Sequence, residues 1–459
     1  MSPVGAALAD FLRRHAPVQG RQSLCIALSG GVDSTALLLA AVELRERATS
    51  PADPGDAPPP AIDLRAVHVD HGLQAAATRW GAHCARLCAS RSVPFELLRA
   101  NVALERAHGL EAAAREARYA ALAARLRPGE WLLTAHHADD QLETVLIQLL
   151  RGAGLPGLAA MPEVAPLGAG RHGRPLRALG RAELAALVSG SGIDPIEDPM
   201  NDDARFDRGY LRRRVLPALR ARWPRAATTV ARSARHCATA QALLEECARQ
   251  DAQAAIDGPR LRLAPLAPLD ARRRANVLRW WLGDRGLAVP SSQRLEQLVA
   301  QMWSVAPDRQ PLVRWRGGEV RRYRGRLYAL PSPPPALGPS SEFVLRPGAV
   351  LALGAGLGTL TLRATTGRGL AADRCARGLR VAGRAGGEEI RVHAGGPRRP
   401  LRLLLQEAGI PPWRRDALPL LWAGGELLAV ADRWISADHG PAPDETGYLP
   451  EWSDAPPLD

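Results

Sequence analysis

An α/β fold built on a doubly wound parallel sheet is predicted for the first half of the chain, and three observations predict it. Short apolar runs alternate with stretches of helical spacing, a Gly-Gly turn separates the first run from its helix, and the polar residues with useful chemistry follow the ends of the runs. The patterning then changes, so three parts are expected. Residues 1–217 form the α/β domain, 218–330 a mainly helical middle domain, and 340–440 a small α+β C-terminal domain.

The elements follow in order. Leu24-Cys25-Ile26-Ala27-Leu28 reads as the first strand, and Thr35-Ala36-Leu37-Leu38-Leu39-Ala40 opens a helix. Pro51–Pro60 is a proline-rich connector, read as a mobile surface loop. Leu64–Val69 is a second strand, Ala75–Ser90 a helix, Phe95–Leu98 a third strand, and Trp131–Ala135 a further strand before a helix from Asp139 to Leu150. Beyond Pro217, Ala226–Ala255, Ala271–Gly286 and Ser291–Trp303 carry helical spacing. Leu312–Arg316 and Arg321–Tyr328 interleave arginine with aromatics, which suits either phosphate contact with base stacking or a solvated hairpin face. Pro331–Pro339 is a linker. Phe343–Ala364 opens a third region running to Ile435, before a proline-rich acidic tail.

Composition narrows the chemistry. All 60 Lys+Arg residues are arginine, which excludes a Walker A loop and any lysine Schiff base. A formal charge of +13 favours a polyanionic partner, with nucleic acid ahead of a membrane. Met1–Gly20 lacks an uninterrupted apolar core, so neither a signal peptide nor a spanning helix is expected and the cytoplasm is the default location. The six cysteines form no disulfide framework, and Cys84 and Cys88, beside His83, read as helix packing rather than metal ligands.

Ser29-Gly30-Gly31-Val32-Asp33-Ser34 is the most specific motif. Adjacent glycines let the backbone approach an anion, and the free N–H groups of the following helix start supply hydrogen bonds and a favourable dipole, so a nucleotide phosphate is the natural guest. His68-Val69-Asp70-His71-Gly72 ends the second strand, where backbone groups reach an adenine edge. In His136-His137-Ala138-Asp139-Asp140-Gln141-Leu142-Glu143-Thr144, Asp140 and Glu143 share a helix face and His136 precedes that helix. Paired carboxylates there suit a cationic amine, a magnesium ion, or both.

These motifs resemble those of the N-type ATP pyrophosphatases, the PP-loop superfamily. With Glu111, Arg115, Arg118 and Tyr119, the run Leu150-Arg151-Gly152-Ala153-Gly154, the run Glu197–Asp202 followed by Arg208 and Arg212, and the late run Ile410–Asp416, their order is similar to that of the tRNA(Ile)-lysidine synthases. Ala135 stands where that family usually has glycine and Gly209 where asparagine is usual, and Pro400–Leu403 replaces a lysine-rich segment.

The resemblance implies a ligase that modifies tRNA in two steps. ATP adenylates the carbon-2 oxygen of the wobble cytidine of tRNA(Ile) with a CAU anticodon, and free L-lysine then displaces AMP to give lysidine, so that the decoded codon changes from AUG to AUA. It implies ATP held by Ser29, Gly30, Gly31, Val32, Asp33, Ser34 and His68, with Asp33 as the Mg2+ ligand or the partner of the amine. It assigns catalysis to Asp33, His136, Asp140 and Glu143, with Asp140 and Glu143 also holding the lysine ammonium until a carboxylate or His136 takes its proton. Arg115, Arg118, Arg208 and Arg212 are the implied substrate contacts, although Arg115 and Arg118 are equally suited to salt bridges on their own helix. A homodimer is left open.

Overall fold

The computed structural model describes residues 1–15, 21–49, 61–70, 77–99, 110–197, 203–304, 309–331, 335–339, 341 and 343–456. They fall into two compact units, Met1–Leu244 and Glu245–Asp459. That division lies within the helix Ala226–Ala252.

In the first unit the elements run α1 (Pro3–His15), β1 (Gln22–Ala27), α2 (Val32–Thr49), β2 (Ile62–Asp70), α3 (Ala77–Ser90), β3 (Phe95–Arg99), α4 (Leu110–Ala123), β4 (Trp131–Leu133), α5 (Ala138–Leu150) and α6 (Leu155–Leu158). β5 (Val164–Leu167), β6 (Gly170–Gly173), α7 (Arg181–Ser189), α8 (Asp207–Tyr210), a π-helical turn (Leu211–Val215), α9 (Leu216–Arg222) and α10 (Ala226–Ala252) complete the series, α10 continuing past the unit boundary. The strands form one sheet in the order β3-β2-β1-β4-β6-β5, parallel except for the β5 edge. Chain order reverses between β1 and β4. A crevice therefore opens at their carboxyl ends, where such sheets bind ligands.

Period-two alternation explains why both faces are covered. Leu24 and Ile26 of β1, Leu64 and Ala66 of β2, and Trp131 and Leu133 of β4 pack with α1, α2, α3 and α7. Cys25, Val67 and Leu132 point the other way, onto Leu122 and Leu126. The runs are apolar on both sides because neither face meets water. The β5–β6 hairpin escaped the sequence reading because Gly170-Arg171-His172-Gly173 is polar and short, and its pairing with β4 supplies the missing apolar context.

One buried ion pair anchors the sheet. Glu130 is fully buried, and Arg65 donates to both its oxygens at 2.8 Å while the Arg127 N–H donates at 3.0 Å. Burial opposes the charge on Glu130, but the Arg65 and Arg127 contacts overcome it and hold the carboxyl below its ordinary value of 4.5. Its contribution to stability is therefore complete above the unfolded-state value and is lost as pH falls through the depressed folded value. Glu130→Ala should cost about 3 kcal/mol, the lower end for a broken buried pair, because the Arg65 guanidinium loses its two strongest bonds and keeps only Glu96 at 3.3 Å and the Arg125 carbonyl at 2.9 Å. Acid unfolding of that variant, followed by circular dichroism, should lose part of the wild-type dependence on pH below 4.5; an unchanged acid profile would contradict the assignment.

The second unit places helices Ala271–Asp284 and Ser292–Ser304 on a five-stranded antiparallel sheet that contains Leu312–Trp315, Gly318–Tyr323 and Arg326–Leu330. The middle region is thus mainly helical by length, and the sheet packed against its helices is the part its sequence did not announce. Tyr323 and Tyr328 are not free to stack on bases, since with Leu330 they are buried around Trp413, both tyrosines edge-on to the indole. Arg314 and Arg321 instead grip fully buried Glu319, at 2.7 and 2.5 Å.

Two more antiparallel sheets, of five and four strands, follow. The expected tail is one of their strands: Thr446–Ser453 pairs along its whole length with Thr359–Thr366. Proline and acidic content suggested a tail, but Trp452 and Leu360 supply the apolar face that fastens it. No helix among the described residues is long and apolar enough to cross a membrane.

Candidate functional site

The Gly-Gly turn sits at the carboxyl end of β1. Gly30 has φ +83°, and a Cβ there would lie 2.4 Å from Ile196 Cδ1 and 3.1 Å from Cys84 Sγ, so glycine is required on two counts. The Ile196 N–H donates to the Gly30 carbonyl at 2.9 Å, closing the loop from outside. Ser34 Oγ accepts from the Ser29 and Gly30 amides, both at 3.1 Å, and Thr35 N–H donates to the Gly31 carbonyl. That last bond starts the helical ladder, so the N–H groups of Val32, Asp33 and Ser34 stand free of it at the start of an 18-residue helix. The result is an anion cradle.

Opposite it stands the start of α5. His137 is the N-cap, and its N–H donates to Asp140 Oδ2 at 3.0 Å. The buried imidazole joins the two motifs: Nε2 lies 3.5 Å from Asp33 Oδ2 and 3.5 Å from Asp140 Oδ2, and Nδ1 lies 3.6 Å from Asp139 Oδ2. Burial opposes its protonation, but Asp33, Asp140 and Asp139 together outweigh that cost and raise its pKa above 6.5. Asp139 is itself held by the Arg181 N–H at 3.0 Å and by Arg220 at 2.7 Å. Asp33 Oδ1 is buried and has no hydrogen-bond partner among the described residues, which suits a ligand to a divalent cation.

Glu143 follows one turn later, nearly fully buried. Arg212 clamps it with two bonds, at 2.5 and 2.9 Å, and approaches Asp140 Oδ1 only to 3.4 Å. Burial nonetheless raises the Glu143 pKa, against the pull of Arg212. Arg208 reaches Thr144 Oγ1 at 3.3 Å. Arg212 lies on the π-helical turn, and Gly209 just before it permits a close approach: a Cβ there would fall 2.0 Å from the Asp203 carbonyl oxygen.

His136 turns away from these acids. Its Nδ1 lies 2.8 Å from Thr134 Oγ1, which also lies 2.8 Å from His172 Nε2, and Arg174 Nη2 is 3.0 Å from His172 Nδ1. Arg115 and Arg118 stack on Tyr119 at 5.2 and 5.4 Å, and Tyr119 packs on His172. The structure therefore brings Ser29–Ser34, Asp140, Glu143 and Arg212 to one carboxyl-end crevice, and groups His136 with Arg115 and Arg118 in a neighbouring basic cluster. His68 Nδ1 donates to the Leu28 carbonyl at 2.8 Å beside Cys84, so that side chain shapes the strand ends. His71, Gly72 and 198–202 lie outside the described residues.

Sequence reasoning missed His137, Arg181, Arg220, His172 and Arg174. His137 had a signal, the i to i+3 relation of an N-cap to Asp140; the others meet the site only through long-range packing. Burial raises the Cys84 and Cys88 thiols to about 12 and about 11, in keeping with packing roles. Among the described residues no group of His, Cys, Asp and Glu has a metal-holding arrangement.

Known proteins match along the chain. A PP-loop domain model matches residues 4–219, a TilS substrate binding domain 261–328, and a TilS substrate C-terminal domain 379–452. The tRNA(Ile)-lysidine synthase of Alkalilimnicola ehrlichii is 42% identical over 96% of this chain and 99% of its own. That of Pseudomonas aeruginosa is 42% identical over 96% of both, and that of Methylococcus capsulatus 38% over 93% and 95%.

Proposed function

The chain belongs to the tRNA(Ile)-lysidine synthases, ligases that act on tRNA, and from that premise we propose the following reaction. Free L-lysine is joined through its side-chain amine to carbon 2 of the wobble cytidine of tRNA(Ile) with a CAU anticodon, and ATP drives the ligation. Lysidine then pairs with AUA in place of AUG. One observation carries the reading: buried His137 lies 3.5 Å both from Asp33 of the phosphate cradle and from Asp140 of the acidic block. A nucleobase lodged there would meet a phosphoryl donor and an amine in turn.

The cytosine carbonyl oxygen is a poor leaving group. In the first step it attacks the α-phosphorus of ATP and the α–β bond breaks, releasing pyrophosphate. The free N–H groups of Val32, Asp33 and Ser34 are placed to stabilise negative charge on phosphate oxygens. Asp33 would hold Mg2+ through Oδ1, which accepts no hydrogen bond among the described residues and meets only Arg181 at 3.9 Å, and the ion would neutralise the pyrophosphate. In the second step the lysine nitrogen attacks carbon 2 and AMP departs. Arg212 holds Glu143 tightly but Asp140 only loosely, so Asp140 is the carboxylate left to receive the ammonium. A carboxylate must then take one proton, because only the neutral amine attacks. The regions 218–330 and 340–440 are assigned to tRNA binding, consistent with the chain's +13 charge.

Purified protein supplied with ATP, labelled lysine and a tRNA(Ile) transcript bearing a CAU anticodon should incorporate lysine, with one AMP and one pyrophosphate per event. Formation of ADP, or no incorporation with that transcript, would overturn the reading.

A further inference from the structure

Arginine has only N–H donors, and that fixes the direction of a chain of three hydrogen bonds. Arg174, buried and anchored by a second bond from Nη1 to the Pro162 carbonyl at 2.7 Å, must donate to His172 Nδ1. A neutral His172 then carries its proton on Nε2 and donates it to Thr134 Oγ1. The Thr134 hydroxyl has no acceptor other than His136 Nδ1 among the described residues, so it donates there and the proton of a neutral His136 lies on Nε2. Nε2 has no partner among the described residues, and the ring is only partly covered.

We infer that Arg174, through His172 and Thr134, sets the tautomer of His136 so that its Nε2–H donates to a phosphoryl oxygen of the nucleotide undergoing transfer, and His136 is not the base that deprotonates the amine. The inference rests on the function proposed above for its substrate, but the relay itself does not. The surroundings agree. Arg115 and Arg118, without carboxylate partners among the described residues, flank the same cluster and favour an anionic oxygen there. Burial and then Arg174, Arg115 and Arg118 keep both rings neutral: His172 is lowered to about 3 and His136 lies well below 6.5. His136 is also adjacent in sequence to His137, which touches the loop aspartate. Arg174, His172 and Thr134 are positioning residues, acting only through His136.

The test combines spectroscopy with a variant series. In protein labelled with 15N-histidine, His136 should show a protonated Nε2 and an unprotonated Nδ1; protonation at Nδ1 would overturn the relay without reference to turnover. His136→Gln keeps a donor near the Nε2 position but has no basic nitrogen. It should retain lysine incorporation within about tenfold of wild type, whereas His136→Ala should lose about 100-fold or more, the usual effect of deleting one oxyanion donor. Gln and Ala variants equally inactive would identify a base and overturn the proposal. Arg174→Met should shift His136 to mixed tautomers and lower kcat in the wild-type background, yet add nothing in the His136→Gln background. An equal loss in both backgrounds would make Arg174 merely structural. Wild-type protein that incorporates no lysine would defeat the proposed function while leaving the tautomer measurement to decide the relay.

Discussion

Asp140→Asn is expected to lower lysine incorporation by about two to four orders of magnitude while weakening ATP binding only about two- to tenfold, because Asp140 couples to the cradle solely through His137, which lies 3.5 Å from both Asp33 and Asp140. The carboxylate sits one helical turn before Glu143 and is the less firmly held of the pair, with Arg212 Nη2 at 3.4 Å. Asparagine is nearly isosteric and its oxygen can still accept the His137 N–H that caps α5, so the fold should survive. What disappears is the charge that attracts an ammonium. Removing one member of a buried, charge-assisted pair costs about 3–5 kcal/mol, and each 1.36 kcal/mol is about tenfold in rate. Separate assays of ATP binding and of labelled-lysine incorporation check both halves. Incorporation at the wild-type rate would remove Asp140 from any role at the amine.

Gly30→Ala is the second large effect, and it should be felt as both stability and nucleotide binding. Alanine at φ +83° is strained by about 1–2 kcal/mol, and its methyl would meet Ile196 Cδ1 and Cys84 Sγ inside the core. Together these should cost about 2–4 kcal/mol, or a fall of about 4–16 °C in Tm for a unit of this size, with at least tenfold weaker ATP binding. Gly31→Ala is the informative control. That glycine has no left-handed φ, and its nearest neighbours would be Ile196 O at 3.6 Å and Ser29 Oγ at 3.7 Å, so Tm should hardly move. Weakened ATP binding at an unchanged Tm would then report the close approach of phosphate to the backbone. Equal thermal losses for the two variants would contradict this division of labour.

The parts of the site that were legible are local in sequence. Ser29–Ser34 announce a strand, a turn and a helix within six residues, and Asp140 and Glu143 declare a shared face by their spacing. The parts that were not legible depend on orientation or on distant partners. His136 and His137 are neighbours with identical chemistry, and only the N-cap geometry of α5 sends one toward Asp33 and the other toward Thr134. Arg212 reads as one basic residue among several, and its hold on Glu143 spans 69 positions. The interleaved arginines and aromatics between Leu312 and Tyr328 match a nucleic-acid surface as well as they match a core, because composition does not say which side of a strand meets another layer. The strand Thr446–Ser453 was obscured in the same way, since its partner lies 87 residues earlier at Thr359–Thr366.

The sequence alone determined the α/β class of the first half, the anion-binding turn after β1 and the acidic start of α5, because backbone conformation and helical spacing are written over a few adjacent residues. Only tertiary structure decided which histidine joins the two motifs, which arginine covers which carboxylate, and which aromatics are buried. Those outcomes come from packing between elements far apart in the chain, where the free energy of burying or pairing a side chain depends on neighbours that no local pattern names.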